Sequence, residues 1–228
     1  MSRNLIFYDT ETTGIHKDFS QIIQCGSIFT NNTLKVLDEQ NIGSKPLPWI
    51  IPQPKAMLTN KKINSFSSNI SHYQMMKEIQ NQWKEWCIDL PAIFITYNGH
   101  AFDEELIRRQ FYWNLIDPYL TTNVNGSSRV DLMVIIFLIA NFFSDKVKIP
   151  TDDEGNLRYK LEMVAEANGI SSLNAHDAVV DSYLMINLVR LINEKIPQLW
   201  ESAVKTATKK DFITSINKEP FSMLAEIV

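Results

Sequence analysis

Asp9 and Glu11 stand two residues apart at the end of an apolar run, in Phe7-Tyr8-Asp9-Thr10-Glu11-Thr12-Thr13-Gly14. Side chains alternate along an extended strand, so both carboxylates project from one face. Two like charges held side by side disfavour their own ionisation unless something cationic lies between them. Thr12, Thr13 and Gly14 offer backbone N–H groups and little bulk, which suits close approach of a substrate. Asp103 closes a second such segment, Tyr97-Asn98-Gly99-His100-Ala101-Phe102-Asp103. It can serve as a helix N-cap. It also falls at the carboxyl end of a strand, where ligands of open α/β sheets collect. The third segment is Asn174-Ala175-His176-Asp177-Ala178-Val179-Val180-Asp181, with His176 five residues before Asp181. Asp181 lies among Ala178, Val179, Val180, Tyr183 and Leu184, so a half-buried carboxylate that needs a partner is implied. Four carboxylates and a histidine thus come from three segments. Hard oxygen ligands without a thiolate suit Mg²⁺ or Mn²⁺. Carboxylates gathered around two such ions, ~3.5–4 Å apart, can clamp the attacking and leaving oxygens of a phosphoryl displacement.

The elements that must carry these residues are legible in part. Leu5 to Asp9, Gln21 to Thr30 and Thr33 to Gln40 read as strands of an antiparallel meander, the last two joined by a tight turn at Asn31-Asn32. Pro46, Pro48, Pro52 and Pro54 mark an extended loop. His72 to Ile88 has helical spacing, with Met75, Met76, Ile79, Trp83 and Trp86 apolar. Ala92 to Tyr97 is a continuous apolar run, as expected of a strand buried on both faces. Helices are expected over Phe102 to Trp113, Asp131 to Phe143, Leu157 to Ala167 (closed by Asn168-Gly169), Ala175 to Glu194 and Gln198 to Thr206. Thr121 to Ser128 and Ser144 to Asn156 read as polar loops, and periodicity fades after Lys209. Strands first, then strand and helices in alternation, indicate a mixed α/β sheet covered by helices.

Composition narrows the classes. The 228 residues are 45% hydrophobic and 21% charged, ordinary for a globular protein of one sizeable domain, or at most two small ones. That excludes a disordered chain, a collagen-like repeat and a disulfide scaffold. With 22 Lys+Arg against 26 Asp+Glu the net charge is −4, which argues against coating nucleic acid by bulk positive charge. Cys25 and Cys87 sit in no Cys/His pattern. They read as reduced core thiols of a cytoplasmic protein, with no zinc site. The N-terminus leads straight into a strand and fits no signal peptide. The longest apolar run, Leu132 to Phe143, is twelve residues. A membrane span needs roughly 20, so no membrane association is expected.

On these motifs the sequence resembles the DnaQ-like 3′→5′ exonucleases. Asp9 and Glu11 match the first motif, Asp103 the second and Asp181 the third. The third motif exists as His-x4-Asp or Tyr-x3-Asp. His176 stands at the histidine position and Asp177, not Tyr, at the other, so the match is to the DEDDh form. A narrower resemblance, over roughly residues 5 to 200, is to the nuclease domain of the bacterial exonuclease I family. It is carried by Phe102-Asp103-Glu104-Glu105, Arg109, Phe111-Tyr112-Trp113-Asn114, Asp117-Pro118-Tyr119, Ser128-Arg129-Val130-Asp131-Leu132, Lys160-Leu161-Glu162, Ala167-Asn168-Gly169-Ile170 and Asn174-Ala175-His176-Asp177-Ala178. Thr10, Thr12 and Thr13 stand where that family has Tyr and Phe, and Lys160 where it has Arg; Lys keeps the charge but loses the bidentate fork.

The resemblance implies an RNase H-like fold, with a central mixed β-sheet flanked by helices. It implies hydrolysis of single-stranded DNA from the 3′ end, with RNA hydrolysis or proofreading as alternatives and a non-catalytic nucleic-acid-binding derivative as a further one. Asp9, Glu11, Asp103 and Asp181 would hold two Mg²⁺ ions, replaceable by Mn²⁺, and His176 would act as general base. Asp177 reads as a helix-start or orienting residue and Asp131 as structural. Thr12, Thr13, Gly14, Phe102, Arg129 and Lys160 are the expected substrate-binding residues. Tyr112, Trp113, Tyr159 and Arg109 are further candidates, although aromatics at helical spacing are more often core. His16, His72 and His100 match no catalytic position and are expected at the surface or in loops. A single-strand DNA-binding protein is an expected partner. Residues 1–208 are expected to form the nuclease domain, and 209–228 a tail or the start of a second domain. The four acids carry −4, equal to the whole net charge, and two divalent ions would balance it.

Overall fold

The computed structural model describes residues 3–122, 126–173 and 177–218. Three strands open the chain: β1 (Leu5–Thr12), β2 (Ile22–Thr30) and β3 (Val36–Gly43), paired antiparallel in sequence. Strands β4 (Ile93–Thr96) and β5 (Ser128–Asp131) extend the other side of β1 in parallel. The order is β3-β2-β1-β4-β5, a mixed sheet with β1 at its centre.

Alternation along β1 feeds two hydrophobic layers. Leu5 and Phe7 face α4 (Leu132–Phe142), α5 (Leu161–Ala167), α6 (Ala178–Lys195) and α7 (Pro197–Thr206). Ile6 and Tyr8 face α2 (His72–Trp86) and α3 (Asp103–Trp113). Trp83 of α2 is fully buried in that second layer, 4.9 Å from the Tyr8 ring and 5.2 Å from Phe94. Its indole N–H donates to Ser27 Oγ at 3.0 Å, so the largest core side chain carries no unmet polar group. Ser71 caps α2, accepting from the Gln74 N–H while the Gln74 side chain accepts from the Ser71 N–H.

The structure departs from the sequence expectations in places where short elements carry too little periodicity. The β2–β3 connection is longer than a two-residue turn. Asn31 Oδ1 accepts from Thr33 and Lys35 N–H groups, Leu34 takes a positive φ of 63°, and β3 begins only at Val36. The proline-rich stretch is not all loop: Pro54 starts α1 (Pro54–Asn60), and a 3₁₀ helix, Lys62–Ser67, follows. Proline fits a first helical turn, where no N–H is needed. Strand β5 lies at the edge of what reads as a loop, and α5 begins at Leu161 rather than Leu157. Residues after Lys209 form α8 (Lys209–Lys218). His72 is not a surface residue. It is 2% exposed at the first position of α2, and neither ring nitrogen has a hydrogen-bond partner. Cys25 is buried and Cys87 half-buried, and both are free thiols. Among the described residues no helix is long and apolar enough to cross a membrane.

Candidate active site

Asp9 and Glu11 continue the Leu5–Phe7 face of β1, so they look toward α6. The strand register places Asp9 opposite Gly26 and Glu11 opposite Gln24. Gly26 is where α6 rests on the sheet. A Cβ there would lie 2.3 Å from the Ala178 carbonyl carbon and the Val179 nitrogen. Only glycine permits that approach. Ser182 then donates to the Gly26 carbonyl at 3.1 Å. Asp181, one turn into the helix, is thereby brought to the strand end. Carboxylate oxygens of Asp9, Glu11 and Asp181 lie within 4.8 Å of one another.

Asp103 reaches the same place from the opposite layer. The β1–β4 pairing ends at Phe7 and Ile95, which leaves the end of β1 open to the start of α3. Thr10 faces that side, and its hydroxyl donates to the Asp103 carboxylate. Asp103 stands outside the three-acid group, although its charge is felt at Asp9. Beside it Glu104 is buried and accepts from Tyr8 (2.9 Å), Thr121 (2.6 Å) and Arg129 (2.8 Å). Asp131 is structural, as its context suggests. It caps α4 through the Met133 N–H (3.1 Å) and fixes the loop before Asp103 through the Asn98 (2.7 Å) and His100 (3.1 Å) N–H groups.

The cluster is electrostatically costly on its own. Burial, then the charges of Asp103, Asp181 and Glu11, hold the Asp9 carboxyl well above the usual carboxylate range. Burial and Asp181 push Glu11 up to about 8, against the pull of Lys62 and of a hydrogen bond from Asn60. Burial raises Asp103 to about 6 despite its bonds from Thr10. A half-buried set of converging carboxylates with no thiolate or imidazole among the described ligands fits a hard divalent cation, which would relieve the repulsion.

Three further residues escaped the motif reading. Asn60 is buried at the end of α1. Its side chain donates to the Thr12 carbonyl (3.0 Å), bonds Glu11, and accepts from the Lys62 N–H (3.1 Å). The Lys62 amine lies 2.6 Å from Asp177 Oδ2. Gln24 donates to the same oxygen at 3.1 Å. Asp177 itself caps α6 through the Val179 N–H at 3.2 Å, in keeping with a helix-start residue. Burial would raise its carboxyl, but Lys62 and Gln24 hold it below the usual value. No sequence pattern distinguishes Asn60-Lys61-Lys62 from a solvated helix end; only the fold of the preceding prolines brings it back to β1.

The remaining expected residues are distributed as follows. Thr12 donates to the Gly14 carbonyl (2.7 Å), and Thr13 exchanges bonds with Gln21 and accepts from the Gln53 N–H, so both serve the local backbone. Gly14 packs against Gln53, whose side chain lies 2.6 Å from where a Cβ would be. Phe102 is half-buried against the Ile6–Tyr8 layer. Lys160 is exposed on the wall of a cleft of about 780 Å³, which Asp9, Asp181, Asn98 and Tyr159 also line. Arg129 lines a second cavity of about 540 Å³, with Arg108, Arg109, Tyr112 and Trp113. Tyr112 is 71% exposed, so helical spacing does not make it core. His176 lies outside the described residues.

No protein-family model matches the chain. It is 29% identical over 222 residues to exodeoxyribonuclease I of Buchnera aphidicola subsp. Schizaphis graminum, a match covering 96% of this chain and 45% of that protein. The fold matches the crystal structure of Escherichia coli exonuclease I in complex with a dA16 oligonucleotide, with a TM-score of 0.85 and 26% identity over 93% of this chain and 45% of the other. A zinc-bound form of the E. coli exonuclease I complex with single-stranded DNA matches with a TM-score of 0.84 and 25% identity, over 93% and 45%. The chain thus spans about half the length of the proteins it matches. The sheet and its flanking helices are the RNase H-like exonuclease fold. The similarity to bacterial exonuclease I runs through nearly the whole chain and not through the acidic motifs alone.

Proposed function

We propose that this chain is a metal-dependent 3′→5′ exonuclease that releases nucleoside monophosphates from single-stranded DNA. The observation that carries the reading is the meeting of Asp9, Glu11 and Asp181 within 4.8 Å, with Asp9 and Asp181 lining an open cleft. Similarity to exonuclease I supports the substrate class.

Asp9 sits between the two sides of the cluster and would be shared by both metal positions. Glu11 and Asp181 would complete the position beside α6, and Asp103 the position beside α3. Bound Mg²⁺ or Mn²⁺ would supply Lewis-acid charge at the scissile phosphate. His176 would take the proton from the attacking water, a task its near-neutral pKa suits. Lys160 and Tyr159, which line the same cleft as Asp9 and Asp181, would meet a phosphate and a base of the strand. Arg129 is tied to Glu104, so it steadies the start of α3, and any contact it makes with substrate would be made from within that ion pair. Residues 1–208 would form the nuclease unit, with 209–228 as its tail or the beginning of a further part.

The test uses 3′- and 5′-labelled oligonucleotides of DNA and RNA, with Mg²⁺ or with chelator. Mononucleotides should leave the 3′ end of DNA, and Asp9→Ala and Asp181→Ala should abolish this. Faster hydrolysis of RNA would move the substrate class. Binding without cleavage in Mg²⁺ and Mn²⁺ would favour a non-catalytic derivative. An undiminished rate in His176→Ala would remove the general base.

A further inference from the structure

Lys62 is a cation inside an acidic site. It lies on no motif, yet its amine is within 2.6 Å of Asp177, and the two side chains are only 23% and 30% exposed. Asp177 is felt electrostatically at Asp9, and Lys62 at Glu11. The amine therefore sits at the edge of the same converging charges that would hold a divalent ion. Its position is built, not incidental. Lys61 adopts a left-handed backbone (φ 54°) to end α1, and Asn60 fixes the next N–H while holding the Thr12 carbonyl. Gln24, opposite Glu11 in the sheet, shares the Asp177 oxygen with Lys62.

Resting on the reading that the cluster takes divalent metal, we propose that Lys62 is its resident counter-charge. It offsets part of the carboxylate repulsion when no metal is bound, and it opposes the incoming ion. Lys62 and Asp177 together then set the divalent concentration at which the site fills. A positioning or packing role alone predicts that loss of Lys62 weakens the site. A counter-charge role predicts the reverse.

Isothermal titration of the full chain with Mn²⁺ alone, without nucleic acid, separates them. Lys62→Met should bind Mn²⁺ about tenfold more tightly, since a unit charge that is felt at Glu11 also opposes a divalent ion there, and such an opposition is worth about that near a protein surface. Lys62→Gln removes the charge but keeps a donor for Asp177, and should shift affinity the same way. Asp177→Asn keeps Lys62 and removes a carboxylate, and should bind several-fold more weakly. Native circular dichroism in chelator confirms that each variant is folded. Unchanged or weaker binding by both Lys62 variants overturns the proposal while leaving the metal site intact. No Mn²⁺ binding by any chain overturns the proposal together with the metal reading. The predicted shifts in a chain that cleaves no DNA sustain the proposal and sink the exonuclease assignment.

Discussion

Acidification offers a sharp test of the core, because His72 is buried at the start of α2 with both ring nitrogens unpartnered. Burial lowers its pKa to about 4, and the positive end of the helix dipole acts in the same direction. In the unfolded chain the ring titrates at about 6.5. Below that pH the unfolded chain takes up a proton that the native state refuses, so stability is full above about 6.5 and falls as pH drops toward 4. A gap of about 2.5 pH units at about 1.4 kcal/mol each gives a total of about 3.5 kcal/mol, with about 2 kcal/mol already lost at pH 5. The carboxylates of the acid cluster shift stability in the opposite sense, so the informative quantity is the difference between wild type and His72→Leu. Urea unfolding in chelator at pH 7, 6, 5 and 4.5 should show the variant gaining on wild type by about 2 kcal/mol across that range. A difference constant to within about 0.5 kcal/mol would refute the claim that His72 is buried neutral. The result matters for function as well. An acid limb in the rate profile is the expected mark of a general base, and unfolding driven by His72 would imitate it. Only a limb that survives in His72→Leu can belong to the active site, either to its acids or to a general base.

Three other perturbations bear on the site. Glu11→Gln removes one of the facing charges, so in chelator at pH 8 it should raise the melting midpoint by about 3–6 °C, the equivalent of 1–2 kcal/mol for a chain of this size, whereas added Mn²⁺ should stabilise wild type more than the variant; differential scanning calorimetry reads both. Gly26→Ala must push the first turn of α6 back by about 1 Å to relieve its 2.3 Å contacts. It should cost about 1–3 kcal/mol and lower hydrolysis on the order of 100-fold, as measured by denaturation and single-turnover cleavage. Arg129→Ala strips the cation from buried Glu104 and should cost about 2 kcal/mol by denaturant midpoint, with Arg129→Lys recovering part.

The acid pair at the end of β1 was legible because a strand has only two faces, so Asp9 and Glu11 had to share one. Asp181 was legible because apolar neighbours on both sides forced it to be partly buried. What the sequence could not convey was which layer each acid comes from. Thr10, between the two carboxylates, is the residue that reaches Asp103 on the far side of the sheet. That depends on where the β1–β4 pairing stops, a tertiary property. The Asn60–Lys62 strap was hidden for a similar reason. Prolines signal an extended loop, but Pro54 at a first helical position starts a helix instead, and its end folds back onto the site. The burial of His72 was missed because a polar residue at a helix start is ordinarily solvated, and nothing local marks the exception.

The two halves of the site rest on elements of unequal depth. Asp9 and Glu11 belong to the central strand, whose neighbours on both sides and core layers on both faces tie its amides to global unfolding. Asn60 and Lys62 belong to a short helical strap in which Asn60 is the buried residue. Local opening of that strap costs far less than breaking the sheet. In hydrogen-exchange terms, residues 54–67 should lose protection long before residues 5–12. The Glu11 side of the cluster would then be uncovered and closed again while the carboxylates themselves stay fixed, and a divalent ion, if the cluster takes one as proposed, would have a way in and out that leaves the acids in place.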